Sequence, residues 1–241
     1  LYVDGSLIST ADLALPLFTE GTDKNIYLGV STAGLGLYGW MDEMRLTQAA
    51  LTPADFLTTV RLPTPPLIGA YWPLDGEPET TVGTVTNNLS ASLSGYGLAT
   101  TTSGTPPVYN AETVAETLYD GADGAVWTAA NRSSVSFNKI SGTAGSHIRI
   151  PDPFDLSTSD GTTTNLTVEL FFRSRSQSGG VWQNLIRKQN AGGNSWGLLL
   201  NNTGILSVSI ARAGSSTTLS SFPSTIRYDD GKWHHAAFTY D

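Results

Sequence analysis

The chain has 241 residues, with 13 basic and 21 acidic side chains and a formal net charge of −8. This acidic balance argues against nucleic acid and anionic membrane surfaces as partners, because both are bound by clustered Lys and Arg. The absence of Cys excludes disulfides and thiolate metal sites. We expect no insertion into a membrane, because no apolar run is long enough to span one.

Short segments rich in β-branched and aromatic residues recur along the chain, separated by turn signals such as Asp4-Gly5 and Asp230-Gly231. Strands are predicted at 26–30, 37–46, 68–72, 147–150, 165–173, 181–188, 196–200, 205–211 and 233–240. Many short strands at this spacing indicate an all-β sandwich or jelly roll. Residues from about 77 to 130 are loop-like, and so long a loop is uncommon. We therefore expect extra short strands there, or a surface insertion.

One short helix is predicted after the second of these strands. Thr52 is a suitable N-cap, Pro53 suits the first helical position, and Asp55 lies in the first turn. We expect this helix to run from residue 53 to about residue 60. The Pro-rich segment 62–66 cannot continue a helix, so it is predicted to be an extended linker.

Two sets of motifs resemble one family. The first set resembles the second half of a laminin-G-like, concanavalin A-type jelly roll; it comprises Leu-Tyr-Val-Asp-Gly at 1–5, Ile-Tyr-Leu-Gly at 26–29, Leu-Tyr-Gly-Trp-Met-Asp-Glu-Met-Arg-Leu at 37–46 and Ala-Leu-Thr-Pro-Ala-Asp-Phe at 50–56. The second set resembles the first half of the same domain; it comprises Ala-Tyr-Trp-Pro-Leu-Asp-Gly at 70–76, His-Ile-Arg-Ile-Pro at 147–151, Leu-Thr-Val-Glu-Leu-Phe-Phe at 166–172 and Gly-Lys-Trp-His-His-Ala-Ala-Phe-Thr-Tyr-Asp at 231–241. The resemblance implies a concanavalin A-like jelly-roll sandwich.

The two halves occur in reversed order. Residues 1–61 resemble the C-terminal half of the domain, and residues 67–241 resemble its N-terminal part, with the insertion at about 77–130. Either the chain is one unit of a tandem array in which each jelly roll is completed by a neighbour, or it is a circularly permuted single domain. We favour the array, in which the two halves belong to different jelly rolls. Both explanations predict that residues 1–8 and 233–241 are antiparallel neighbours.

Asp42 is the most informative acid. Strict alternation along its strand places Asp42 on one face, together with Tyr38, Trp40, Met44 and Leu46, and that face is predicted to be buried. A buried carboxylate needs a cation or several hydrogen-bond donors. The resemblance implies a structural calcium held by Asp42, with Asp75 as a neighbouring ligand. The alternative is an Asp bonded to backbone amides or to an Arg.

No catalytic constellation stands out. Related jelly rolls include glycoside hydrolases, which resemble one another in a Glu-x-Asp-x-x-Glu strand, and residues 41–44 lack that spacing. Alternation places Asp42 and Glu43 on opposite faces, so they cannot flank one glycosidic bond. Glu169 is a lone acid on its face. His234 and His235 also face opposite ways, so they cannot bind one metal together. We therefore expect no enzymatic activity.

The sequence thus predicts a non-catalytic structural or adhesive repeat module of an extracellular surface or filament protein, whose partners are other copies of itself. The alternative is a carbohydrate-binding module of a secreted protein, in which glycans would contact Trp182, Trp196 and Asn194, with Trp127 a further candidate. A glycoside hydrolase is the third and weakest interpretation.

Overall fold

A computed structural model of the chain describes residues 1–11, 25–29, 36–47, 49–57, 69–83, 99–100, 106–114, 131–138, 146–150, 165–177, 180–190, 193–211 and 219–241. The predicted linker at 62–66 lies outside the described residues. Within them the chain forms fifteen β-strands and one 3-10 turn, Pro53–Asp55. The strands assemble into two antiparallel sheets, which confirms the predicted all-β sandwich.

Sheet A has eight strands. They are β1 (Tyr2–Val3), β2 (Ser6–Leu7), β4 (Tyr38–Thr47), β5 (Gly69–Trp72), β7 (Val108–Asn110), β8 (Ser134–Asn138), β10 (Leu166–Arg175) and β15 (Asp230–Tyr240). Sheet B has seven strands. They are β3 (Ile26–Leu28), β6 (Ala99–Thr100), β9 (Ile148–Ile150), β11 (Gln183–Asn190), β12 (Gly193–Leu200), β13 (Ile205–Ala211) and β14 (Leu219–Arg227).

The strand order mixes the two segments of the chain in both sheets. Sheet A runs β2-β1-β15-β10-β4-β8-β7, with β5 also paired to β4, and sheet B runs β14-β13-β12-β11-β3-β9-β6. Strand β1 pairs antiparallel with β15, with Tyr2 opposite Ala237 and Val3 opposite Ala236. The predicted pairing of the first residues with the last is therefore confirmed, and it forms within one chain.

The main core lies between the sheets. Its largest fully buried side chains include Trp72, Phe137, Phe172, Trp196 and Phe238. Buried residues of the first segment, such as those of β3 and β4, pack in the same core. Because apolar burial is the dominant favourable term in folding, the two segments stabilise each other.

The helix predicted at 53–60 is wrong in its described part. The 3-10 turn Pro53–Asp55 ends at Phe56, whose backbone is extended (φ −72°, ψ 156°). Residues 58–60 lie outside the described residues. The Thr-Pro signal therefore starts a single turn, and the chain then continues in an extended conformation. The expectation of extra strands within 77–130 is confirmed by β6 and β7.

The sheet edges differ in length. Strand β2, at one edge of sheet A, has two residues, and Leu7 within it is 55% exposed. Strand β14, at one edge of sheet B, has nine residues and contains Pro223, which lies opposite Ser207 of β13. Proline is tolerated at such an edge, because no further strand there needs the N–H that proline lacks.

Candidate functional site

The face of sheet A that points away from the main core carries most of the acids singled out in the sequence. A β-bulge in β4 decides their placement. Glu169 of β10 lies opposite Arg45, but Phe171 lies opposite Asp42, so β4 has one residue more than β10 in this interval. Glu43, within the bulge, has φ of +50°. Such a bulge reverses the alternation of side chains beyond it.

The bulge overturns the predicted face of Asp42. Met41 before it and Met44 and Leu46 after it all lie in the main core. Asp42 is therefore on the opposite face from Met44 and Leu46. Glu43 accepts a hydrogen bond from the Tyr71 hydroxyl, and Tyr71 belongs to the outer apolar cluster with Leu57 and Phe171. The two acids thus lie close together, contrary to the expectation that they face opposite ways.

Asp42 has no exposed surface. Its Oδ2 accepts hydrogen bonds from Asn131 Nδ2 (2.9 Å) and from the Val114 amide (3.0 Å), whereas Oδ1 has no partner. Burial, together with the nearby charge of Asp75, raises the pKa of Asp42 to about 8, although the hydrogen bonds from Asn131 and Val114 act against this shift. Burial, followed by the charge of Asp42, raises the pKa of Glu43 well above its usual value. Glu43 Oε1 also lacks a partner.

Asp75 binds the backbone of the segment that precedes β8. Its Oδ1 accepts the Arg132 amide (2.8 Å) and the Ser133 amide (3.1 Å), and burial raises its pKa. The charge of Asp75 raises the pKa of both Asp42 and Glu43, and these three acids are here called the carboxylate cluster. Asn131 and Ser133 on the neighbouring segment were not found from sequence, because they follow the insertion and no pattern links them to Asp42 or Asp75.

The carboxylate oxygens of this cluster are atoms of the kind that calcium prefers as ligands. Oδ1 of Asp42 and Oε1 of Glu43 are buried oxygens without partners, and calcium prefers oxygen ligands. The geometry is less complete, because no group of three His, Cys, Asp or Glu side chains in the described part of the chain is placed to hold one ion. Asp42 and Glu43 would be the protein's carboxylate ligands, and Asp75 does not complete a set of three with them.

Part of this outer face is covered by residues 49–57, here called the strap. Thr167 Oγ1 accepts the Leu51 amide (2.9 Å) and donates to the Ala49 carbonyl (2.6 Å). Phe56 packs edge-on against Tyr2 with ring centroids 5.1 Å apart. These contacts hold the strap across β1, β10 and β15.

Glu169 lies beneath the strap with no exposed surface. It accepts hydrogen bonds from Arg45 Nε (2.6 Å) and the Leu57 amide (2.7 Å), and its Oε2 lies 3.1 Å from His235 Nε2. Burial alone would raise the pKa of Glu169, but the charge of Arg45 and the bond to His235 hold it below its usual value. Glu169 therefore has partners on its face and is inaccessible to a substrate.

The two histidines do face opposite ways, as predicted. His235 lies opposite Phe171 on the outer face, and His234 lies opposite Phe172, whose side chain is in the core. His234 Nδ1 is 2.9 Å from Asp4 Oδ2, and its Nε2 is 3.0 Å from Asp230 Oδ1. Burial alone would lower the pKa of His234, but both carboxylates act against it and the pKa is raised.

The tryptophans that were predicted to contact a glycan differ in how far they are buried. Trp182, just before β11, is 40% exposed. Trp196 is fully buried and packs edge-on against Phe238, with ring centroids 5.7 Å apart, so the expectation that its ring contacts a glycan is wrong. Asn194 lies in β12 opposite Gln189, and its side chain is outside the described part. Trp127 is also outside the described residues.

Comparison with known proteins gives one family. Residues 141–241 match the laminin-G-type family model of the concanavalin A-like lectin/glucanases superfamily. This match and the two-sheet sandwich confirm the resemblance: residues 141–241 are similar to concanavalin A-like lectin/glucanase domains, and the described strands form a sandwich of two antiparallel sheets. Comparisons with curated proteins and with solved structures gave no match. Among the described residues, no helix has the length and apolar character needed to cross a membrane.

Proposed function

We propose that the chain is a non-catalytic adhesive or structural module of an extracellular protein, and that it assembles with other copies of itself. The burial of the acids on the outer face of sheet A carries this proposal. The strap covers Glu169, and Asp42 and Glu43 have no exposed surface. A glycoside hydrolase needs two carboxyl groups that reach both sides of a bound substrate, and these acids are not available to one.

Assembly would use contacts of the kind that β1 and β4 make within the chain. Strand β4 lies between β10 and β8, and β1 lies on β15, so strands of the first 47 residues complete sheets built by later residues. The same pairings can form when the first segment of one copy enters the sandwich of another. Such an exchange is heterologous and extends into a filament unless it closes into a ring.

Cysteine cross-linking tests the assembly directly. Val3 and Ala236 are directly opposite across β1 and β15, and the chain has no Cys of its own. In the double variant Val3→Cys/Ala236→Cys, folded under mild oxidation, we expect a ladder of disulfide-linked copies on a non-reducing gel. A single band of internally cross-linked monomer, together with a monodisperse monomer in light scattering at micromolar concentration, would rule out assembly by exchange. Val3→Cys alone controls for random oxidation.

The second candidate function is carbohydrate binding in a secreted protein, and Trp182 favours it. Trp182, just before β11, is 40% exposed and offers a flat apolar surface. The exposed Asn202 is close to the same segment, since its carbonyl oxygen lies 3.1 Å from the position that a Cβ of Gly180 would take. A glycan array with the wild type and Trp182→Ala tests this role. Binding that is equal in the two proteins would exclude Trp182 as the platform.

A further inference from the structure

The first strand of the chain is attached to sheet A by a small set of contacts. Strand β1 has two residues, and it lies between the two-residue edge strand β2 and the long strand β15. Leu1 and Val3 are buried in the main core. A short strand makes few ladder hydrogen bonds, and such edge elements open locally at a low cost in free energy. Side-chain contacts at the β1–β2 turn therefore matter for how firmly this hairpin is held.

Asp4, in the turn between β1 and β2, joins this hairpin to β15. Its amide donates to the His235 carbonyl (2.9 Å), and its Oδ1 accepts the His235 amide (2.9 Å). Its Oδ2 lies 2.9 Å from Nδ1 of His234. Burial alone would raise the pKa of Asp4, but the hydrogen bonds to His234 and to the His235 amide hold it below its usual value. Asp4 is thus a carboxylate at neutral pH.

The His234 ring has a carboxylate at each of its two nitrogens. Nδ1 faces Asp4, and Nε2 lies 3.0 Å from Oδ1 of Asp230. A neutral imidazole has one N–H donor and one bare nitrogen, so it can donate to only one carboxylate while its bare nitrogen faces the other. The imidazolium cation donates to both. Both hydrogen bonds therefore form only when His234 is protonated.

The other groups around the His234 ring are aromatic or are directed elsewhere. The Tyr228 ring contacts it edge-on with centroids 5.1 Å apart, and the Phe172 ring of β10 lies 5.8 Å away. Lys232, on the same strand, has its Nζ 3.7 Å from Oδ2 of Asp230, and its side chain is 79% exposed. Within the described residues, the charges that act on His234 are thus those of the two carboxylates, and both favour its protonated form.

We propose that His234, Asp4 and Asp230 form a proton-dependent latch that holds the β1–β2 hairpin on β15. When His234 is protonated, Asp4 on the hairpin and Asp230 on β15 both accept a hydrogen bond from its ring, and the latch is closed. Opening of the hairpin removes Asp4 from the ring, so the open form binds the proton less tightly than the closed form. By linkage, opening becomes more favourable as the pH rises through the pKa of His234.

This latch would regulate the assembly proposed above, and that consequence rests on the proposed function. Strand β1 must leave β15 before it can pair with another copy. The contact between Asp4 and His234 forms again in an exchanged pair, so the proton favours neither the monomer nor the assembly at equilibrium. It controls the rate instead, and strand exchange should be slower in mild acid than at a pH above the pKa of His234.

Thiol labelling of a single cysteine measures the opening of the hairpin. In Val3→Cys the thiol replaces a core side chain that is 2% exposed, and in Leu7→Cys it occupies a position of β2 that is 55% exposed. A maleimide reagent labels monomers of both proteins at several pH values between about 5.5 and about 8, where histidine titrates. The ratio of the two rates cancels the pH dependence of the thiol reaction itself. An ion pair at a partly exposed site changes an equilibrium by about two- to fivefold, so the ratio of the Val3→Cys rate to the Leu7→Cys rate should rise by about that factor.

Matched variants in both cysteine backgrounds separate the latch from other effects of pH. His234→Gln should remove the rise of the ratio with pH. Asp4→Asn should remove it as well, and this variant keeps a side-chain oxygen and suits the positive φ of +48° at this position. His147→Gln, which changes a histidine just before β9 in the other sheet, should retain the rise.

The outcomes for the latch and for self-assembly can be told apart. A rise of equal size in His234→Gln, or a ratio that does not rise with pH in the parent proteins, would overturn the latch. Labelling is measured on the monomer, whereas self-assembly is tested by the disulfide ladder of Val3→Cys/Ala236→Cys. A missing ladder together with a ratio that rises with pH would reject self-assembly and support the latch.

Discussion

The Arg45 guanidinium donates to the Glu169 carboxylate from β4 to β10, and neither side chain has any exposed surface. The same two residues hold the strap, because Arg45 also donates to the Asp55 carbonyl (2.5 Å) and Glu169 accepts the Leu57 amide. A buried ion pair is balanced against a large desolvation cost. Here its remaining hydrogen-bonding capacity is used by backbone groups of the strap.

Replacing one member of this pair should be strongly destabilising. Arg45→Met leaves the Glu169 charge buried and uncompensated, and we expect a loss of about 3 to 5 kcal/mol in the free energy of unfolding. The double variant Arg45→Met/Glu169→Leu should recover a large part of that loss. Urea unfolding followed by tryptophan fluorescence measures both. Arg227→Gln, which removes the exposed member of the pair with Asp229, should cost much less, about 1 kcal/mol.

Thr167 should stabilise the strap against local opening. Thr167→Val preserves shape but leaves the Leu51 amide and the Ala49 carbonyl without their partner, which should cost about 1 to 3 kcal/mol. Hydrogen exchange should accelerate first at residues 49–57. Thr52→Ala removes only an exposed bond to Asp55 and should leave this exchange nearly unchanged. Uniform acceleration throughout both sheets would contradict a local role.

His234 should make stability depend on pH. Its pKa is raised by Asp4 and Asp230, so its stabilising contribution is complete below the unfolded-state pKa of about 6.5 and is lost as pH rises through the folded-state pKa. The free energy of unfolding of the wild type should therefore fall relative to that of His234→Gln above about pH 6.5. Unfolding curves at several pH values measure this difference. Parallel pH profiles for the two proteins would exclude the effect.

Calcium should stabilise the fold if the carboxylate cluster binds it. An ion bound only by the native state raises Tm, so added calcium should raise Tm and excess chelator should lower it again. Asp42→Asn should abolish the calcium response, and Asp229→Asn, which lies outside the cluster and just before β15, should retain it. A melting curve that is the same in calcium and in chelator would show that Asp42 relies on Asn131 and the Val114 amide alone.

The positions of the long strands could be predicted because their residues alternate and their turns carry clear signals. The Asp4-Gly5 turn is an example, with φ of +48° and +76° at the two residues. Alternation failed at Glu43, because the bulge inserts one residue without any distinctive composition. The helix prediction failed because the Leu57 amide bonds to Glu169, which is 112 residues away. Such a long-range bond leaves no local signal.

The candidate sites were predictable to different extents. Asp42 could be singled out as a buried acid, but its partner Asn131 could not, since 89 residues separate them.

Pro223 in the edge strand β14 limits how neighbouring molecules can meet. A strand arriving from another molecule would find no N–H donor at Pro223, so a continuous ladder along this edge is interrupted. Pro223 therefore disfavours sideways growth of sheet B from β14 into a ribbon shared by many molecules. At high local concentration, such as on a crowded surface, a proline in this edge strand should reduce edge-to-edge pairing between sandwiches.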